Sequence, residues 1–444
     1  MTFALAVIIG ILVLGVLVFV HELGHFLVAK ACKINVLTFS LGFGPSLLKK
    51  TWKGTEYRIS VIPFGGYVRM AGENPEEDRT GASDEFSSKP IWQRALVALA
   101  GPVFNFVFAI LFLWFAFMHG VERPLYLDSS IVGAVSAESP AHEAGFMPGD
   151  KIISINGETI DNWETVENRL GQQLKDYQFV VERDSRTVDL HMQLKHSGPR
   201  IPEDPFGGLM PPRLPPVVGV LYENSVAKEK LQIGDTILSV DGQKVLCFEQ
   251  FSMIVGKFKS GDNPFQISIK RENEIFSVDL TPKYDTTYKR HLLGIQPSQP
   301  ASKFVSYSAG DAVPYTMSKT WEYTTMIFDV LGKLFSREVS PDQLAGPLGI
   351  IPASGLYALQ GLSSILNFMA LVGINLAVLN LMPLVITDGG LLMFMGIEAI
   401  RGKPLSIKTQ ALINKIALFF FLALFIFVSK NDIQRLPDFL KIFK

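Results

Sequence analysis

Two histidines and a glutamate interrupt the first apolar stretch of the chain, as His-Glu-Leu-Gly-His at residues 21–25. Residues four apart share one face of an α-helix, so His21 and His25 can place two imidazole nitrogens on one ion. Glu22 projects nearby, where its carboxylate can take a proton from a water held by that ion. This spacing is typical of zinc-dependent peptide hydrolysis, and it predicts Zn²⁺ as the cofactor and Glu22 as the catalytic acid and base.

The surroundings of this motif strengthen the prediction. Residues 4–29 are otherwise apolar, and about 20 such residues cross a membrane. An ionisable side chain there costs roughly 2.5–3.5 kcal/mol or more, so three of them indicate a function. The alternative is a set of polar residues near the helix end that face lipid headgroups.

A third ligand is needed, because catalytic zinc uses three protein ligands and leaves a fourth position for water. A later apolar stretch has one acid in its middle, Asp388, within NLMPLVITDGG (380–390). Pro383 interrupts the helix there, and a broken helix at membrane depth is tolerated where it lines a cavity or is buried in protein. We therefore predict Asp388 as the third ligand, with an interfacial helix cap as the alternative.

Four apolar stretches are predicted to span a membrane: about 4–29, 92–117, 364–383 and 411–428. Basic residues flank the loops that follow the first stretch and precede the fourth, which places both loops in the cytosol by the positive-inside rule. Both termini and residues 119–363 then lie outside the cytosol. The N-terminus lacks a basic start and its apolar run continues past the motif, so we expect a retained helix and not a cleaved signal peptide.

The external region contains an internal repeat, with one copy at 131–157 and the other at 217–242, joined through the linker PPRLPP (211–216). Each copy indicates a strand, a short helix, a Gly-Asp turn, a second strand and a tight hairpin. The copies resemble circularly permuted PDZ domains, which implies binding of an extended peptide by strand addition. Packing modules that bind nothing are the alternative.

Two further segments are expected to lie at the membrane. Residues 36–70 indicate short strands with glycine-rich turns, whose edge could hold an extended substrate, with a small loop domain as the alternative. Residues 303–337 interleave aromatic and polar side chains, as in a helix that lies on a membrane surface, although a helix of a soluble domain would also fit.

The composition agrees with a mixture of membrane helices and soluble domains. Of 444 residues, 48% are hydrophobic and 19% charged, and the formal net charge of −1 offers no basic footprint for nucleic acid. The two cysteines, Cys32 and Cys247, cannot build a disulfide framework and are expected on opposite sides of the membrane, hence unpaired.

The predicted fold class is a multi-pass α-helical membrane protein with two inserted PDZ-like α+β or β-barrel domains and a small membrane-associated β-sheet. Its predicted segments are the first two transmembrane helices with a cytosolic-side β region (1–120), the PDZ-like domains (121–210 and 211–300), an amphipathic region (301–363) and the last two transmembrane helices (364–444).

The motifs HELGH, GFGP, PFGGYVRM, AGPVFN (100–105), LAGPLGI (344–350) and N-x-x-P-x-x-x-x-D-G occur in an order that resembles the site-2 protease family over nearly the whole chain. The resemblance implies zinc ligation by His21, His25 and Asp388, with Asn380 and Pro383 in substrate binding. It implies regulated intramembrane proteolysis in a bacterial envelope stress response. Val385 and Thr387 depart from the usual N-x-x-P-x-P-x-L-D-G, which puts the geometry of that loop in doubt.

The same resemblance implies partners and a location. The partners are membrane-spanning substrates, namely anti-sigma factors already cut once and remnant signal peptides, within the lipid bilayer of the bacterial inner membrane. The PDZ-like domains and both termini are then periplasmic, and the active site lies near the cytosolic face. Two rival functions remain: a membrane-anchored PDZ scaffold with a degenerate metal site, and a metal transporter that uses the same three ligands.

Overall fold

The computed structural model describes residues 3–73, 80–170, 176–194, 206–223, 225–285, 290–336, 346–384 and 387–442. The chain divides into two compact units, one formed by Met1–Val121 with Val305–Lys444 and the other by Glu122–Phe304. The first unit is mainly helical and carries the candidate ligands, whereas the second is mainly β-structure.

Within the described residues the secondary structure is as follows. The α-helices are α1 (Phe3–Ala31), α2 (Ile91–His119), α3 (Pro140–Glu143), α4 (Trp163–Leu170), α5 (Phe248–Gly256), α6 (Ala312–Phe335), α7 (Pro347–Leu359), α8 (Leu362–Leu381), α9 (Asp388–Arg401) and α10 (Ile407–Ile442). The strands are β1 (Val36–Trp52), β2 (Thr55–Met70), β3 (Val121–Pro124), β4 (Ala134–Val135), β5 (Lys151–Ile155), β6 (Glu158–Thr159), β7 (Asp176–Arg183), β8 (Arg186–Gln193), β9 (Leu209–Met210), β10 (Val218–Leu221), β11 (Thr236–Val240), β12 (Gln243–Lys244), β13 (Phe265–Arg271), β14 (Glu274–Leu280), β15 (Lys283–Asp285), β16 (Arg290–Leu292), β17 (Ile295–Pro297) and β18 (Ser302–Val305).

Three helices, α1, α2 and α8, are long and apolar enough to cross a membrane. They coincide with the first three predicted stretches, and α8 ends two residues before Pro383, as expected because proline disfavours helix in the residue before it. The fourth predicted stretch lies within α10, where several side chains are outside the described residues, so its membrane span stays a prediction.

Close helix packing draws α1 and α2 together. A Cβ added at Gly24 would lie 2.4 Å from the carbonyl oxygen of Ala100, so the absence of a side chain lets the two backbones approach. A glycine also lets α7 pack closely against α1, because a Cβ at Gly10 would lie 2.6 Å from the Cα of Ile351.

The strands predicted within residues 36–70 form a sheet of β1 and β2 with several register shifts. The shifts place Leu41 opposite both Gly66 and Ile59, so the start of β1 runs between two parts of β2. Large apolar side chains are exposed on this sheet, including Leu48 (67%) and Trp52 (59%). Their exposure suits the expected membrane association, which stays a prediction.

The repeat predicted for the second unit is visible in its topology. The sheets β6-β5-β7-β8 and β12-β11-β13-β14 have the same strand order, and each has its own hydrophobic core. Both predicted hairpins have two successive residues with positive φ, Asn156-Gly157 and Asp241-Gly242, as a type I′ turn requires.

The short helix of the repeat forms only in the first copy, as α3. There Ser139 caps the helix and Pro140 occupies its first position, where the fixed φ of proline is favourable. The second copy has Val226 in place of the proline and makes turns.

A buried ion pair recurs in both sheets at equivalent positions. Arg183 donates two hydrogen bonds of 2.7 Å to Asp150, and Arg271 donates two of 2.8 Å to Asp235. Burial of the Asp235 carboxyl, the largest single influence, raises its pKa, but the hydrogen bonds from Arg271 and from the Gln232 N–H outweigh it and lower the pKa below its ordinary value.

Removing this arginine is expected to loosen the second sheet. Arg271→Leu leaves the Asp235 carboxylate buried without its partner and should destabilise this half of the unit. Because the folded-state pKa is depressed, the contribution is complete above about pH 4 and is lost as the pH falls below that value. Faster hydrogen exchange across β13 at pH 7 checks this in the full chain, with the exposed Arg186→Leu as control; unchanged exchange would show that the pair adds no stability.

Candidate metal centre

The structure brings three of the sequence-predicted side chains to one point. His21 and His25 lie on one face of α1, and Asp388 is the first residue of α9. The two Nε2 atoms are 3.2 Å apart, and the Asp388 carboxylate oxygens lie 3.3 Å from Nε2 of His21 and 3.4 Å from Nε2 of His25. The cluster joins residues more than 360 positions apart in the sequence.

These distances fit a tetrahedral zinc ion. With bonds of 2.0–2.1 Å, two ligand atoms on a tetrahedron lie about 3.3 Å apart. The two imidazole nitrogens are 3.2 Å apart, and each lies 3.3–3.4 Å from a different carboxylate oxygen of Asp388. The donors are two imidazoles and one carboxylate, a set that zinc accepts. Their side chains are only 12–18% exposed, so the triangle of ligand atoms forms a protected site able to hold the ion.

Helix α2 orients the second imidazole. Nδ1 of His25 lies 2.7 Å from the carbonyl oxygen of Val97. An N–H at Nδ1 donates to that carbonyl, which leaves the lone pair on Nε2, the atom directed at the cluster. A hydrogen bond of this kind fixes both the tautomer and the ring orientation of a metal-binding histidine.

The same helix leaves room for the imidazoles at Gly101. A Cβ added there would lie 2.3 Å from Nε2 of His25 and 2.7 Å from Cε1 of His21. Both distances are well below van der Waals contact, so the lack of a side chain at Gly101 is a condition for the ligand positions.

The inner edge of the β1–β2 sheet lies beside Glu22. This residue is 8% exposed. A Cβ added at Gly66 would lie 2.9 Å from its Cγ, and its carboxyl lies near the backbone of Val68. The glutamate between the two histidines is thus held between the ligands and the strand formed by residues 66–70.

The two predicted substrate-binding residues precede Asp388 in the chain and are not part of the ligand cluster. Asn380 lies in the last turn of α8, and Pro383 lies in the loop that follows. The start of α9 lies close to the end of α8, because a Cβ at Gly389 would lie 2.3 Å from the carbonyl oxygens of Leu381 and Met382.

Thr387, one of the two departures from the family motif, makes hydrogen bonds to residues that follow α8. The hydroxyl of Thr387 donates toward the carbonyl oxygens of Met382 (2.8 Å) and Leu384 (2.7 Å). Leucine, the usual residue, offers no such donor, so Thr387 supplies a contact of its own immediately before Asp388. Val385, the other departure, lies outside the described residues.

An ion pair attaches α9 to α2. The guanidinium of Arg94 donates to both carboxylate oxygens of Glu398, at 3.1 and 2.6 Å, and its Nε donates to the carbonyl oxygen of Lys89. Both side chains are mostly buried, at 14% and 18% exposure. Since Asp388 begins α9, the pair holds the helix that presents the candidate third ligand.

Breaking this pair should weaken zinc binding. Arg94→Gln is expected to reduce zinc affinity about tenfold, because α9 loses its attachment and Asp388 its fixed position. Glu398→Gln should have the same effect, and the exchanged double variant Arg94→Glu with Glu398→Arg should recover most of it. Chelator competition on the purified protein measures the affinity; equal weakening in the double variant would show that the charge pair is not what positions α9.

A His-Glu-x-x-His helix completed by a carboxylate from a second apolar segment defines a class, the intramembrane zinc metalloproteases. A model of peptidase family M50 matches residues 9–424. The chain therefore belongs to peptidase family M50 and is a zinc metalloprotease of the site-2 type.

Curated relatives cover nearly the whole chain. It is 36% identical to the regulator of sigma-E protease RseP of Escherichia coli and 32% identical to the regulator of sigma E protease of Haemophilus influenzae, each over 96% of this chain and 98% of the relative. A protein of Pasteurella multocida named as a zinc metalloprotease is 34% identical over the same shares.

A solved PDZ domain of an SdrC-like protein from Listeria monocytogenes matches 18% of this chain and 84% of its own length, at 22% identity and a TM-score of 0.17. That score does not by itself establish a shared fold.

Proposed function

We propose that this protein hydrolyses peptide bonds within membrane-spanning segments of other proteins. His21, His25 and Asp388 hold the zinc ion, and Glu22 is the catalytic acid and base. The observation that carries the proposal is the meeting of His21, His25 and Asp388 from two helices distant in the chain. Their imidazole nitrogens lie 3.2 Å apart, and each lies 3.3–3.4 Å from one of the two carboxylate oxygens. A degenerate site would have no need for both the intact triangle and the glutamate beside it.

The chain's own groups suit this reaction. Zinc bound at the site supplies Lewis-acid activation of water and of a peptide carbonyl at neutral pH. The Glu22 carboxylate takes the proton of the attacking water and delivers it to the leaving nitrogen. The close approach of the strand at Gly66 and Val68 holds that carboxylate in place.

A substrate helix must unwind before it is cut, since its carbonyls are hydrogen-bonded and shielded. Residues 66–70 pair with β1 along one edge only among the described residues, and that strand lies beside Glu22. An extended substrate can therefore add to its other edge. Asn380, at the end of α8, and Pro383 in the following loop bind the substrate backbone on the Asp388 side.

The second unit acts as a peptide-binding filter made of two PDZ-like domains, at 121–210 and 211–300. Support comes from a cavity of about 760 Å³ in the second of them. It is lined by one face of α5, including Phe251 and Ser252, and by the segment from His291 to Gln296. A groove between a helix and a strand edge is the geometry of peptide capture by strand addition.

The substrates proposed are membrane anti-sigma factors shortened by an earlier cut, together with remnant signal peptides. The relatives named as regulators of sigma-E support the first class. The protein would lie in a bacterial inner membrane, with the PDZ-like domains and both termini periplasmic and the site near the cytosolic face. The amphipathic helix α6, whose exposed side chains include Trp321 (70%) and Phe328 (55%), would lie on the membrane surface.

Reconstituted cleavage tests the proposal. Purified protein in detergent or vesicles should cut a membrane-spanning model substrate, lose that activity in a chelator and regain it with zinc. Chelator-resistant cleavage would contradict the metal mechanism. Zinc flux into vesicles without cleavage would favour a transporter.

A further inference from the structure

Asn105 is a buried polar residue at the metal centre to which the proposed mechanism assigns no role. It lies on α2 one turn beyond Gly101, and it is 2% exposed. Its Nδ2 is 3.4 Å from Nδ1 of His21, while its Oδ1 is buried and has no hydrogen-bond partner among the described residues.

The chemistry of His21 requires the opposite orientation of this amide. Nε2 of His21 faces the other two ligand atoms and must offer its lone pair to a metal. A neutral imidazole then carries its hydrogen on Nδ1, which is a donor. An NH₂ group is also a donor, so the orientation with Nδ2 toward the ring makes no hydrogen bond.

A half-turn about χ2 of Asn105 resolves the conflict. It exchanges the two amide atoms, whose identity is fixed only by the hydrogen bonds they make. Oδ1 then accepts the hydrogen of Nδ1, and the exchange gains one hydrogen bond and loses none. The distance of 3.4 Å is at the long end for such a bond, and a small rotation of either ring or amide shortens it.

We propose that Asn105 is a positioning residue that accepts a hydrogen bond from Nδ1–H of His21 and so fixes the tautomer and orientation of this imidazole. Val97 does the same for His25 through its backbone carbonyl. One face of α2 therefore orients both histidines. The inference rests on the proposed role of His21 as a zinc ligand.

Zinc affinity of the purified full-length protein, measured by competition with a chelator, tests the inference. Asn105→Leu and Asn105→Ala both remove the acceptor and should weaken zinc binding 10–100-fold, the usual effect of losing such a partner. Asn105→Asp keeps an acceptor and should stay within about threefold of the parent. Asn367→Leu removes an amide of α8 that bonds to Tyr323, away from the site, and should leave zinc affinity unchanged.

A second readout separates positioning from general damage to the fold. In the cobalt-loaded protein, the visible absorption bands should change in Asn105→Ala and match the parent in Asn105→Asp. Parental zinc affinity in both removal variants would overturn the inference, as would an Asn105→Asp protein as weak as Asn105→Ala, because the amide would then act as a donor. If His21→Ala binds zinc like the parent, the assignment of His21 fails instead, which is a distinguishable result.

Discussion

Gly101→Ala is expected to abolish zinc binding and, with it, peptide-bond hydrolysis. The added methyl group would stand 2.3 Å from Nε2 of His25 and 2.7 Å from Cε1 of His21. The ligands cannot yield easily, since His25 is tied to Val97 and α1 packs against the α2 backbone at Gly24. The helices themselves should persist, because alanine favours helix over glycine.

Metal analysis of the purified variant checks this prediction. The parent should retain one zinc per chain and Gly101→Ala close to none. Gly15→Ala is the matched control, a glycine of α1 whose added Cβ would meet nothing within 4 Å. It should bind zinc normally. Full zinc occupancy in Gly101→Ala would mean that the imidazoles stand farther from α2 than the structure places them.

Glu22→Gln is expected to separate metal binding from catalysis. Glutamine has almost the same shape, so the packing at Gly66 and the ligand triangle should be preserved and zinc retained. The amide cannot accept the proton of the attacking water, so the rate of cleavage at saturating substrate should fall about 10³-fold.

Single-turnover cleavage of a membrane-spanning model peptide, together with zinc analysis of the same sample, measures both effects. Glu322→Gln, an exposed position on α6, serves as the control for loss of a carboxylate. Cleavage at the parental rate by Glu22→Gln would remove this residue from the mechanism.

The parts of the site visible in the sequence were those set by local geometry or by the cost of burial. The spacing of His21 and His25 places them on one helix face regardless of the fold. Asp388 stood out because an acid within an apolar stretch is expensive. From the cost of burying an acid we predicted that Asp388 lies beside α1. The structure brings His21, His25 and Asp388 together.

The supporting contacts carried no comparable signal. The carbonyl of Val97 is a backbone atom, which any residue would supply, so residue type cannot reveal it. Arg94 and Glu398 are 304 positions apart and each resembles an ordinary charge at a helix end. Asn105 belongs to the AGPVFN motif, but the lack of a hydrogen-bond partner for its buried Oδ1 is a property of packing and not of sequence.

In the β-rich unit, the sequence predicted the hairpin turns more reliably than the short helices. Asn156-Gly157 and Asp241-Gly242 fixed both hairpins through their positive φ angles. The short helix predicted after Ser225 is absent from the second copy of the repeat, which has Val226 where the first copy has a proline. The repeated Asp–Arg pairs, by contrast, depend on residues more than 30 positions apart and required the coordinates.

X-ray absorption at the zinc edge of the purified full-length protein tests the central claim most directly. We expect one zinc per chain, bound only by nitrogen and oxygen at about 2.0–2.1 Å, with two imidazoles among its ligands. Asp388→Ala is expected to lose most of the metal. A sulfur ligand at about 2.3 Å, or full zinc occupancy in Asp388→Ala, would contradict the account.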